Sequence, residues 1–193
     1  YHASGETVLV IEGDFVVEDT VTVEEADFSV GGMTTIKSNG LLLLSTKEGD
    51  RSFGGLTIEQ DGELLDNTLG EDFVFDGPVE LAGKLSLANG ICLFTHPVVI
   101  TETGTLTFER EWGSYNFSKG IVNNGTVALG NGYFAVSGEV GGMAEIALNS
   151  DIAVGAGDTL INTNSAGFTV GGILNGEDQG SYLSIEETSP MLL

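Results

Sequence analysis

Ile100-Thr-Glu-Thr-Gly104 and, one period further on, Ile121-Val-Asn-Asn-Gly125 are two copies of one phrase. The same phrase stands upstream at Ile36-Lys-Ser-Asn-Gly40, Ile58-Glu-Gln-Asp-Gly62 and Val79-Glu-Leu-Ala-Gly83. Gly62, Gly83, Gly104 and Gly125 are evenly spaced, and a β-branched residue stands four positions before every one. With small slips the frame extends to Val16–Thr20, Val140–Ala144 and Ile161–Ser165. A constant period of about 20 residues with strand-like content is the signature of a solenoid.

After each glycine the sequence alternates: Leu42 and Leu44, Leu85 and Leu87, Leu106 and Phe108, Val127 and Leu129, and Ile146 and Leu148 after Ala144. Period two marks a strand with one buried face. Leu65 stands where the second apolar position is expected to fall at 66, and Phe168 and Val170 are displaced by one, so bulges or longer corners are predicted there. A third strand follows about two-thirds of the way round, as in Phe73-Val-Phe75, Ile91-Cys-Leu-Phe94, Tyr115-Asn-Phe117 and Tyr133-Phe-Ala-Val136. Three short strands in each repeat, separated by Gly, Asn, Asp and Ser, predict an all-β, single-stranded, right-handed parallel β-helix of about eight coils. A β-sandwich also has many short strands, but nothing in it requires a constant register. No stretch combines helix-forming residues at helical spacing. Residues 1–15 are expected to form an N-terminal cap with a strand at Val8 to Ile11, residues 16–181 the coils, and 182–193 a C-terminal cap or the start of a following region.

The chain has 193 residues, 41% of them hydrophobic, which suffices for one domain with a substantial core. No apolar run is long enough to span a bilayer, so no membrane insertion is expected. The greasiest run, Leu41 to Leu44, reads as a core strand. With 29 acidic and six basic residues the net charge is −23. That balance excludes nucleic acid as a partner, because phosphate contacts need lysine and arginine to displace counterions. The acidic excess reads as a solvated, self-repelling surface, with weak calcium binding or attraction to a cationic partner as its functional counterpart.

Cys92 is the sole cysteine, which leaves no internal disulfide and predicts a buried, inert thiol between Ile91 and Leu93. His96 is close in sequence but on the next corner, which is not the arrangement of a nucleophile and its base. Carboxylate pairs occur at Glu71-Asp72, at Glu186-Glu187 and across Gly62 at Asp61 and Glu63. Two carboxylates on one face could hydrolyse a glycosidic bond, so a polysaccharide-acting enzyme is the alternative reading. Phosphate-binding, zinc, nucleophile-elbow and calcium-loop motifs are lacking, and no cofactor or metal is expected. The doublets Gly31-Gly32, Gly54-Gly55, Gly141-Gly142 and Gly171-Gly172 share no offset in the repeat frame and read as corners. Two N-glycosylation sequons begin at Asn116 and Asn124. Trp112, Tyr115 and the rare Arg110 cluster in sequence on a predicted corner, and sugar rings stack on such aromatics, so these three are the candidate ligand contacts.

The phrase is clearest in Ile121-Val-Asn-Asn-Gly-Thr-Val-Ala-Leu129, and over residues 16 to about 181 it resembles the N-terminal β-helix domains of yeast cell-wall adhesins of the hyphally regulated (Hyr/Iff-like and Awp-like) group. Cys92 alone cannot supply the disulfides that often staple those domains. Passengers of bacterial autotransporter adhesins are similar in repeat style. Either resemblance implies a monomeric, secreted or cell-surface glycoprotein rod. It would work without catalysis, attaching to a host or abiotic surface through a glycan or cell-wall component.

Overall fold

The computed structural model describes residues 2–3, 7–24, 26–44, 49–67, 71–88, 90–108, 113–128, 132–148, 152–154, 159–170, 174–176, 182–185 and 191–192. Every strand pairing among them is parallel, and no helix occurs among them. The strands wind into a β-solenoid with three faces per coil. The first face is a seven-stranded sheet: His2–Ala3, Thr20–Val23, Leu41–Leu44, Glu63–Asp66, Lys84–Leu87, Thr105–Phe108 and Thr126–Ala128. The second and third faces belong to one 16-stranded sheet, because Ala26–Ile36 and Arg51–Ile58 run unbroken from one face into the other. A three-stranded sheet of Ile146–Leu148, Phe168–Val170 and Met191–Leu192 lies further along the chain.

On the first face one ladder climbs in near-equal steps through His2, Thr22, Leu43, Leu65, Ser86, Thr107 and Ala128. The continuous stack is therefore about six coils, where the phrase count leads to eight. The slipped copies at Val140–Ala144 and Ile161–Ser165 begin in Gly138–Gly142 and Thr159–Asn162, which continue the 16-stranded sheet, but they lie beyond the last strand of the first-face ladder. They precede Ile146–Leu148 and Phe168–Val170, which belong to the separate sheet.

Parallel pairing without register slip sets like above like. Leu42, Leu64, Leu85, Leu106 and Val127 form one interior column. Phe53, Phe75, Phe94 and Phe117 form another, with ring centroids 5.3, 4.8 and 4.9 Å apart and rings within 11° of parallel. These spacings follow the distance between hydrogen-bonded strands, about 4.8 Å, so backbone and aromatic stacking reinforce one another. Burying each such ring contributes about 1.5–3 kcal/mol.

The glycines form a column in space as well as in sequence. Glu63, Lys84, Thr105 and Thr126 donate their N–H groups to the carbonyls of Gly40, Gly62, Gly83 and Gly104, at 2.9, 2.9, 2.9 and 3.0 Å. The aliphatic residue before the glycine does not keep the same period. Ile36, Ile58, Leu81, Ile100 and Asn123 are the stacked set, and the step from Leu81 to Ile100 is shorter than those on either side of it. Four-residue corners at 37–40, 59–62 and 101–104 close with a hydrogen bond from the glycine N–H to the carbonyl three residues back. Two of them carry Asn39 and Asp61 at φ of 66° and 65°, a conformation these side chains tolerate. The corners at 82–83 and 124–125 have only two residues, so Val79 and Ile121 stack on Leu56 and Val98, about two residues earlier in the strand than their place in the phrase implies. At the second short corner, Asn123 replaces the aliphatic residue. Its Oδ1 accepts from Gly125 N–H at 3.0 Å and its Nδ2 donates to Glu145 O at 2.9 Å.

The same register decides the other sequence expectations, some corrected and some met. No bulge occurs at Leu65. Leu64 points in, Leu65 points out, and the next interior position is filled by buried Asp66, whose Oδ2 accepts the Ala88 N–H at 3.1 Å. The shift at Phe168 comes from a longer corner, in which buried Asn164 accepts from Ala166 and Gly167 N–H at 2.9 and 2.8 Å. Of the run Leu41–Leu44, only Leu42 and Leu44 are in the core, while Leu41 and Leu43 face outward. Gly31-Gly32 and Gly54-Gly55 keep no common offset, because the ladder shifts by one residue here and sets Met33, not Gly32, opposite Gly55. Both doublets lie at the bend between the second and third faces, where a Cβ on Gly54 would strike the carbonyl of Gly31. The strand expected at Val8 to Ile11 is present as Thr7–Ile11, paired in register with Ala26–Ile36.

Truncation in the aromatic column tests this packing. Phe94→Ala, which removes a fully buried ring stacked on both sides, is expected to cost about 3–5 kcal/mol. Urea unfolding followed by circular dichroism measures it, and an unchanged midpoint would contradict the stacking.

Candidate functional site

Of the predicted ligand trio, Tyr115 does not lie on the surface. Tyr115 is fully buried, with its ring 3.9 Å from that of Phe108 and 5.2 Å from that of Phe134, centroid to centroid. Its position is paired with Cys92 below and Phe134 above, so strand parity turns it inward. Trp112 and Arg110 lie outside the described residues. Burial, and then the neighbouring Cys92, push the Tyr115 phenol up to about 12. Cys92 is buried as expected, and desolvation first, with Asp66 and Asp72 next, raises its thiol far above the ordinary range. His96 sits outside on an exposed corner, with Nδ1 3.0 Å from Thr95 Oγ.

The sequons fall on partly exposed positions. Asn116 faces out from the second face, and its Oδ1 accepts from Ser118 Oγ at 3.0 Å. Asn124 stands on a two-residue corner, and its Oδ1 accepts from Met143 N–H at 3.0 Å. That short corner lies between the taller ones at 101–104 and 143–145, which leaves an open notch of about 420 Å³ lined by Thr101, Glu102, Thr103, Asn124 and Met143.

Among the carboxylate pairs, Asp61 shapes a corner and Glu63 is held by Lys84 at 2.9 Å. Glu59 is similarly held by Lys37 at 2.6 Å. That hydrogen bond keeps Glu59 below the usual carboxylate range against the opposing effect of desolvation. Glu186 and Glu187 lie outside the described residues. Among the described residues, no three His, Cys, Asp or Glu side chains converge as a metal site.

Register does bring one acidic set together that no motif announces. Phe28, Arg51 and Phe73 are paired in successive coils, so the residues preceding them, Asp27, Asp50 and Asp72, share one outward column on the second face. The Asp27 carboxylate also accepts the Asp50 N–H at 3.1 Å. Carboxylates repeated at about 4.8 Å repel by about 0.9 kcal/mol per neighbouring pair in bulk water. Ile91 follows Asp72 in the column and ends the acidic run.

Comparison of the chain with protein-family models, curated proteins and solved structures finds no match in any of the three.

The buried thiol and phenol set an alkaline limit. In the unfolded chain they ionise near 9.0 and 10.0, whereas the folded protein holds both protons to higher pH, Tyr115 to about 12. Stability is therefore expected to be flat with respect to these two groups below about pH 9 and to fall as pH rises to 12. Tyr115→Phe should flatten the portion between 10 and 12, as read from urea midpoints across pH. An unaltered slope in that variant would mean the phenol is not buried.

Proposed function

We propose that this protein is a non-enzymatic, secreted or cell-surface rod that attaches by presenting a repetitive acidic face. The observation that carries this reading is the in-register column of Asp27, Asp50 and Asp72 on a chain of net charge −23. A stacked solenoid is suited to such work, since identical offsets on successive coils repeat a weak contact at a fixed spacing. Multiplying weak contacts raises avidity without any single deep pocket. The repeat phrase shared in style with fungal wall adhesins supports the same reading, and Asn116 and Asn124 are the positions where an exported form would carry glycans.

The test is attachment of the purified chain to amine-bearing and glycan-coated surfaces. The wild-type chain is expected to be retained at low salt. The triple variant D27N/D50N/D72N should lose at least tenfold, and salt at about 0.5 M should weaken the wild type by a similar factor. Equal retention of variant and wild type would overturn the proposal. Release of reducing ends from a polysaccharide, lost in the same variant, would establish the enzymatic alternative instead.

A further inference from the structure

On the second face the first coil differs from the two stacked on it, whose outward residues are polar; apolar outward residues return only further along the stack, as at Ile91 and Leu93. In the second coil the outward residues of the second face are Asp27 and Ser29. In the first, the residues paired with them are Val8 and Val10, at 66% and 57% exposure. Thr7–Ile11 thus reads Thr-Val-Leu-Val-Ile, apolar on both sides, which is the composition of a strand covered on both sides. Its inward residues Leu9 and Ile11 are not sealed either, being, like Phe15 of the next strand, only partly buried against the core. Among the described residues, Thr7–Ile11 and Phe15–Val17 each pair with Ala26–Ile36 alone, so both present a free main-chain edge at this end of the solenoid. Val16, in the second of these strands, is 51% exposed.

The rim of this edge is acidic. Glu12, Asp14, Glu18 and Asp19 are exposed on the two corners of the same coil. The stretch from Tyr1 to Ile36 holds eight acidic side chains and no lysine or arginine. An open strand edge with apolar outward side chains and an acidic surround selects its occupant by three features. The occupant is extended, to complete the ladder; it has apolar side chains beside Val8 and Val10; and it is cationic at its ends.

We propose that the Thr7–Ile11 edge is a docking site for an extended, lysine- or arginine-flanked β-strand of a partner protein, which adds to the sheet as a further strand. A second copy of this chain fits poorly, because it would bring its own Glu12 and Asp14 against these. The inference rests on the first coil and is independent of the aspartate column.

The probe is an acetylated heptapeptide of alternating valine and threonine with a lysine at each end, titrated into the full chain. Its counterpart has a glutamate at each end. The lysine peptide is expected to bind at least tenfold more tightly, with the preference shrinking as salt rises from about 50 to about 500 mM, and to slow amide hydrogen exchange across residues 7–11 at least tenfold. Val10→Lys, at a solvent-exposed position, should weaken the lysine peptide at least tenfold. A lysine peptide N-methylated on alternate residues tests the main-chain pairing on the unaltered protein and should not bind. The proposal is overturned if neither peptide binds at millimolar concentration, if the two bind equally, or if the N-methylated peptide binds as well as the parent. It is also overturned if sedimentation shows a dimer that Val10→Lys abolishes, which would make the occupant a second copy.

Discussion

The rest of the structure depends on the parallel hydrogen-bond ladder between coils. A single coil has too little interior to bury its own side chains, so each coil is stable only as a floor and ceiling for its neighbours. The ladder fixes their separation, and that separation coincides with the stacking distance of aromatic rings. Phe53, Phe75, Phe94 and Phe117 therefore gain ring contacts in the same geometry that satisfies their backbones. Polar residues that enter this interior need individual solutions. Asn123 and Asn164 tie down backbone groups of the corners they sit beside, and Asp66 accepts a main-chain N–H in the next coil. Leaving any of those donors unmatched in the interior would cost about 1–3 kcal/mol.

How much of this was legible depends on which atoms the repeat constrains. Gly40, Gly62, Gly83, Gly104 and Gly125 keep a near-constant spacing because each packs its backbone directly on the coil below, where a Cβ would collide with carbonyl oxygens. That constraint is local and shows in a single column of sequence. The aliphatic stack from Ile58 to Leu81, Ile100, Asn123 and Gly142 instead advances by long and short steps in turn, around the same mean. From 59–62 onward four-residue corners alternate with two-residue corners and the glycine period absorbs the difference, so the phrase aligned Val79 and Ile121 with the wrong neighbours. Strand parity had the information that Tyr115 is interior, since Tyr115 and Phe117 repeat the spacing of Cys92 and Phe94. Its nearness in sequence to Trp112 suggested a surface role that the parity forbids.

The outer surface was less legible for a related reason. Asp27, Asp50 and Asp72 are spaced unequally and more widely than the glycines, because the connections leading into the second face vary in length. No inspection at a fixed offset finds them. Once the register is known the column is unavoidable, and so is the contrast between Val8 and Val10 and the polar residues paired with them.

These two surface features place different demands on whatever touches them. Along the sides, backbone donors and acceptors are already used in the ladder, so a partner can engage only side chains, and the charge of −23 makes that engagement electrostatic and sensitive to salt. At the edge of Thr7–Ile11 that pairs with no other strand among the described residues the backbone itself is available, and main-chain pairing is far less sensitive to ionic strength than a row of exposed carboxylates. The acidic surround then acts chiefly as a filter. It disfavours a second acidic rod and admits a basic strand, and so it protects an aggregation-prone edge from its own kind while leaving it open to another.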